Sequence, residues 1–116
     1  MGAKIVHTGF TIDYTPVAAV LAGSVVVQND LVGVANLDMA AGRKGALHVA
    51  GVFDFPKAAE AIAVGVKLYW DADGDPVGGE AGTGAATTVA TDNVYIGKSV
   101  AAAADTDTAV RTRMSQ

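Results

Sequence analysis

The amino-acid sequence predicts an all-β fold: about eight short strands in a jelly-roll-like sandwich or partly closed barrel, with one short helix. Three observations carry this. Apolar and other residues alternate with period two in Phe10 to Tyr14, Lys44 to Phe55, Val66 to Trp70 and Ala109 to Met114, as in strands with one buried face. Gly, Asn-Asp and Pro punctuate the chain between these runs, as turns require. An apolar residue, a spacer, a Gly and then Val or Lys recur at Leu31 to Val34, Val49 to Val52 and Tyr95 to Lys98. The intervals are too uneven for a solenoid repeat, but they suit neighbouring strands that each bend at a glycine.

Taken in order, residues 1–9 read as an extended N-terminal arm, and residues 10–116 as a single β domain. Within the arm, Ile5 and Val6 lie among small and polar residues with no helical period. Phe10, Ile12 and Tyr14 alternate with Thr11 and Asp13, and Thr15-Pro16 closes that strand. Val17 to Ala22 is apolar and ends at Gly23. Ser24 to Gln28 and Leu31 to Leu37 form a hairpin about Asn29-Asp30, with Gly33 marking a bulge or a close backbone approach. Asp38 to Lys44 is a loop.

The centre of the chain is Lys44 to Trp70. Leu47, Val49, Gly51, Phe53 and Phe55 are expected on one face of a long strand, with His48 and Asp54 on the other. Pro56 ends the ladder. Lys57 to Ile62 carries Ala58, Ala59, Glu60 and Ala61, which predict one or two helical turns before Gly65 reverses the chain into Val66 to Trp70. Phe53, Phe55, Leu68 and Trp70 are the predicted structural core. Asp71 to Asn93 is Gly-rich and acidic, with a short hairpin expected around Pro76-Val77 and Thr87 to Val89. Val94 to Val100 is a strand, Ala101 to Thr108 a turn region, and Ala109 to Met114 the last strand.

Composition bounds the function classes. With 116 residues the chain can bury a core unaided, and with no Cys it has no disulfide, zinc-thiolate or thiol chemistry. The net charge is −4, and the eight bases cluster only at Arg43-Lys44 and Arg111/Arg113, so no nucleic-acid partner is expected. Val17 to Val27 is the longest apolar run and is far short of a membrane span, and the N-terminus lacks the apolar core of a signal peptide; a soluble, unsecreted chain is the expectation. Charged residues make up only 17 % of the chain against 51 % hydrophobic, a balance that suggests burial against partners.

No catalytic, cofactor or metal site emerges from the motifs. Gly97-Lys98-Ser99 matches the end of a phosphate-binding loop, but Asp92 stands where the first Gly belongs, and the three residues lie in a β-pattern. Asp71, Asp73 and Asp75 match the start of a calcium loop, which Pro76 and Gly82 break, leaving an acidic turn as the better reading. His7 and His48 cannot pair locally, and neither Ser24 nor Ser99 has an identifiable base. Tyr69 and Trp70 read as packing residues before they read as a stacking platform.

The run Gly51-Val52-Phe53, Pro56-Lys57, Gly65 and Tyr69-Trp70-Asp71 resembles the core pattern of the capsid cement, or head decoration, proteins of tailed bacteriophages. The resemblance extends through Leu31 to Ala35, Gly42, Ile96-Gly97 and Val110-Arg111, and covers about Phe10 to Met114. It implies a structural virion protein, not an enzyme, that sits as a homo-oligomer (dimer or trimer) on the outer surface of the phage head, bridges major capsid protein subunits and stabilises the shell. It also implies that the protein is made in the host cytoplasm. The long Asp71 to Asn93 insertion departs from that pattern. Lys4, Ile5, Val6 and His7 of the arm are the candidate capsid or subunit contacts, because an unpaired extended segment can add to another chain's sheet edge. Two rival readings are a small-ligand or glycan-binding β-module and an enzyme built on Gly97 to Ser99.

Overall fold

The computed structural model describes every residue except Met1, Val6 and Thr8. Among the described residues, nine strands form two antiparallel sheets. They are β1 (Thr11–Tyr14), β2 (Val25–Gln28), β3 (Leu31–Ala35), β4 (Gly45–His48), β5 (Gly51–Pro56), β6 (Lys67–Asp71), β7 (Ala85–Thr87), β8 (Val94–Ser99) and β9 (Ala109–Met114). The first sheet has the order β1-β4-β3-β2 and the second β5-β9-β8-β6-β7. The two pack as a β-sandwich. The second sheet curls until Lys57, just past β5, bridges Ala86 of β7. That single bridge does not make a closed barrel.

Between the sheets lies the main core. Val32 and Val34 of β3 meet Phe55, Leu68, Trp70, Ile96, Val110 and Met114 of the second sheet. Strand alternation sends the intervening residues of the first sheet to its other face, where Ala35 and Leu47 join Met39, Ile12 and Tyr14 in a second cluster. The loops that precede β2 and β4 roof that cluster, held by reciprocal bonds between Val20 and Met39.

Two expectations about the centre of the chain are corrected. The predicted long strand is two strands, β4 in one sheet and β5 in the other, with a corner at Val49-Ala50. Gly51, at φ +116°, takes the turn in a backbone region that favours glycine. Because of this corner Leu47 and Phe55 face different clusters, and His48 turns toward Phe53, its ring centroid 5.4 Å from that of the phenyl. The predicted helix at Lys57 to Ile62 is absent; the segment is non-helical and bends at Ala59-Glu60 between two isolated bridges, at Lys57 and Ile62. Its backbone is claimed by sheet partners: the Ala58 N–H donates to the Ala86 carbonyl, and Ile62 and Ala103 exchange a pair of bonds. Helix propensity of a few tenths of a kcal/mol per residue cannot compete with those bonds and the burial of Ile62.

The three glycine echoes also differ in kind. Gly51 sits at the corner, and Gly97 lies beside the register shift between β6 and β8. Gly33 stands in an unbroken ladder opposite Val26, where an added Cβ would come within 2.9 Å of the Leu47 Cβ. Its role is close approach, not a bend. Within Asp71 to Asn93 the ordered strand is β7, and it pairs with β6 and not with the Pro76-Val77 region.

Candidate functional site

The residues that chemistry would single out are occupied by structure. Ser99 is buried in β8, its Oγ donating to the Ala63 carbonyl at 2.6 Å and accepting the Val66 N–H at 3.0 Å. Gly97 faces the Arg113 carbonyl so closely that no Cβ fits, and Lys98 beside it is exposed. A hydroxyl with both roles filled, inside a ladder, offers no nucleophile and no anion cradle. Asp71 Oδ1 accepts the Asp73 N–H at 3.2 Å and Asp75 Oδ1 the Gly82 N–H at 2.8 Å, so these acids close turns. Among the described residues no group of three or more His, Cys, Asp or Glu is placed to hold a metal ion. His48 Nε2 pairs with Asn36 Oδ1 at 2.8 Å, and His7 Nδ1 accepts the Gly9 N–H at 2.9 Å.

The aromatic residues divide between core and surface. Trp70 and Phe55 are buried with ring centroids 6.2 Å apart, and Leu68 is fully buried beside them. Gly84 lies against the Trp70 indole, where a side chain would collide. Phe53 is half-buried at the rim of the same cluster. Tyr69, on the opposite face of β6, meets Tyr95 edge-to-face at 5.6 Å. A flat stacking platform would need those two rings coplanar, and they stand at 62°.

What the chain does present is apolar surface with little charge. Lys4, Ile5 and His7 of the arm are exposed, Ile5 at 85 %, while Val6 lies outside the described residues. The arm meets the domain where the Phe10 carbonyl accepts the Val49 N–H at 3.0 Å. Val17 is 99 % exposed, and Leu21 and Leu37 are also exposed on the paired loops that roof the second cluster. Beside them the loop from Asn36 to Ala46 surrounds a shallow depression of about 400 Å³ that includes Asp38, Arg43 and Lys44. Asp38 Oδ1 accepts the Ala22 N–H at 2.7 Å, and Lys44 lies 3.9 Å from Asp13, so the depression carries charge of both signs.

On the second sheet, Asp54 and Arg111 form a two-bonded pair at 3.0 and 3.1 Å across β5 and β9. The guanidinium bonds hold the Asp54 carboxyl below its ordinary range and raise Arg111.

Two residues that matter to the architecture carried no legible signal. Lys57, read as the start of a helix, is wholly buried and its Nζ donates to the Ala104 carbonyl at 2.9 Å, tying the end of β5 to the loop before β9. Gln116 reaches back to β3 and bonds both backbone groups of Val32. A lysine after a proline and a glutamine near a chain end have no pattern that distinguishes them from solvent-facing residues.

Comparison with known proteins gives one match. A family model described as phage cement protein matches residues 6–114. No curated protein and no solved structure matches the chain.

Proposed function

Because this chain belongs to the phage cement protein family, a family of structural, capsid-stabilising proteins, we propose that it binds the outer surface of the phage head as a homo-oligomer and bridges neighbouring major capsid protein subunits. The match over nearly the whole chain carries the capsid role. The finer reading is supported by how the surface is built. A protein used in many copies on a shell gains its hold from many modest contacts, so an apolar, lightly charged exterior serves it better than one deep pocket.

The arm and the paired loops are the proposed attachment surface. Ile5, Val17, Leu21 and Leu37 expose large side chains that the fold itself does not bury, at a cost an isolated domain has no reason to bear. Lys4 and His7 flank Ile5, and the chain before Phe10 is in no strand among its described residues. Extended backbone with free donors and acceptors can add to a sheet edge of the capsid protein. Made in the host cytoplasm, the protein would join heads after their shell has assembled.

Heads prepared without the protein test this directly. Purified protein should cosediment with them at saturable stoichiometry and raise the temperature at which they release DNA. Removing residues 1–8 should weaken attachment while leaving thermal unfolding of the free protein nearly unchanged. Failure of the full chain to bind such heads would refute the reading. Full-affinity binding by the truncated chain would instead move the contacts to Val17, Leu21 and Leu37.

A further inference from the structure

The four sheet edges are not equally protected. At β1, Asp13 faces Lys44 at 3.9 Å and Pro16 follows the strand. The β5 edge carries the Asp54–Arg111 pair and ends in Pro56. The third edge, β7, is three residues long; the Glu60 carboxylate holds the Thr88 N–H at 2.6 Å, and Lys57 lies alongside. These are the devices that keep strands from pairing with other chains. By contrast β2, four residues long, carries neither charge nor proline: Val25–Gln28 pairs on one side with β3, and no charged residue or proline occurs from Gly23 to Asn29.

The ladder fixes which groups β2 offers. The Ala35 N–H donates to the Ser24 carbonyl at 2.9 Å, so Ser24, Val26 and Gln28 are the positions that bond to β3. Val25 and Val27 therefore aim their N–H and C=O groups away from the sheet. Their side chains lie on the core side, in register with Val34 and Val32. Val25 also lines a mainly apolar recess of about 140 Å³ between the two sheets, with Val34, Phe53 and Phe55 behind it and Asp54 also in its lining. Val27, two residues on, is exposed beside it.

From these two observations we infer that β2 is a dimerisation strand whose occupant is the β2 of a second copy. The sequence Val-Val-Val-Gln is nearly self-complementary about Val26. In antiparallel pairing centred there, Val25 of each copy opposes Val27 of the other, and the outward groups of both residues are satisfied by four interchain hydrogen bonds. Opposed residues share a face, so each Val27 is placed at the mouth of the other copy's recess, next to Val25. The first sheets of the two copies join into one eight-stranded sheet, and no like charges are brought together along the seam. This deepens the homo-oligomer part of the reading above and is tested without heads, so the two fail separately.

Sedimentation of the full chain over a range of concentrations is expected to show a monomer–dimer equilibrium. Val27→Lys adds a charge to the edge, and Val27→Pro removes an outward N–H without touching the β3 ladder; each should shift the dissociation constant up by tenfold or more, with far-UV circular dichroism unchanged. Val26→Cys provides an independent reading. Residues opposed at a non-hydrogen-bonded site have Cα atoms about 4.5 Å apart, within disulfide range, and the chain has no other thiol. This variant should cross-link under mild oxidation, whereas Val52→Cys on the β5 edge should not. A chain that is monomeric throughout, a dimer unaffected by both Val27 variants, or equal cross-linking from Val52→Cys would each overturn the proposal.

Discussion

Gln116 closes on both backbone polar groups of Val32, its Oε1 accepting the Val32 N–H at 2.8 Å and its Nε2 donating to the Val32 carbonyl. The contact repairs a defect that the sandwich creates. The pairing of β4 with β3 stops at Val34, opposite His48, where the chain turns the corner into the second sheet, so the β4 side of Val32 is left without a strand. The Gln116 amide sets an N–H donor and its oxygen acceptor at the spacing a strand residue would supply. It also joins the end of β9, in the second sheet, to the centre of the first.

Gln116→Ala should therefore cost about 1–3 kcal/mol in urea unfolding, the usual penalty for stranding buried partners. Gln116→Glu keeps the acceptor but sets a carboxylate oxygen against the Val32 carbonyl, so it should not restore stability. Wild-type stability in both variants would show that water serves Val32 equally well.

Gly97→Ala should be more damaging than its size suggests. The position permits no Cβ because the Arg113 carbonyl of the neighbouring strand occupies that space, and the Ser115 N–H bonds the Ile96 carbonyl beside it. Backbone cannot yield as a flexible side chain can. Destabilisation at or above the upper end of the ~1–3 kcal/mol typical of overpacking is expected, read as a lower denaturant midpoint. Little change would mean that β8 and β9 can separate at low cost.

The Asp54–Arg111 pair predicts a modest acid dependence. Folding lowers the Asp54 pKa from its ordinary 3.8, chiefly through the Arg111 hydrogen bonds. Its contribution is therefore complete above the unfolded value and is lost as pH falls through the folded one. The side chains are 51 % and 60 % exposed, so the effect is small and screened by salt. Wild type should unfold at a slightly higher temperature than Asp54→Asn at pH 7, and the two should converge near pH 2 or in molar salt. A gap that persists under acid would locate the effect elsewhere.

The sequence was most legible where the determinants are local. Alternation and the Asn29-Asp30 turn place β2 and β3 within a few residues, with Asn29 at φ +54° as such a turn demands. Val66 to Trp70 and Ala109 to Met114 are equally direct, because each is an unbroken alternation bounded by turn residues. Legibility ends where a distant partner decides. Alternation runs through Val49 and Ala50 without interruption, so nothing nearby announces that Leu47 and Phe55 serve different clusters. Lys57 to Ile62 satisfies helix propensity, yet Ala86 and Ala103 claim its backbone. Of the candidate attachment residues, Ile5 was legible as an apolar residue in an unpatterned arm. Val17, Leu21 and Leu37 were not, because an apolar residue looks the same in sequence whether it faces a core or solvent.

Lys57 gives the last prediction. Its side chain is wholly buried and its ammonium has, among the described residues, one protein partner, the Ala104 carbonyl, which also accepts the Asp107 N–H at 3.1 Å. Replacing the lysine by methionine removes a desolvated ammonium and keeps most of the volume, and the Ala104 carbonyl still has the Asp107 bond. Burying an ammonium with a single partner costs more than burying a thioether, so Lys57→Met should unfold at the same temperature as wild type or higher. Lys57→Ala should instead lose about 2–5 kcal/mol, because the stem packs where β5 meets β7 and its removal opens a cavity. If Lys57→Met proved as damaging as Lys57→Ala, the ammonium itself, and not the packing of its stem, would be what holds the Ala104 loop to the sheet.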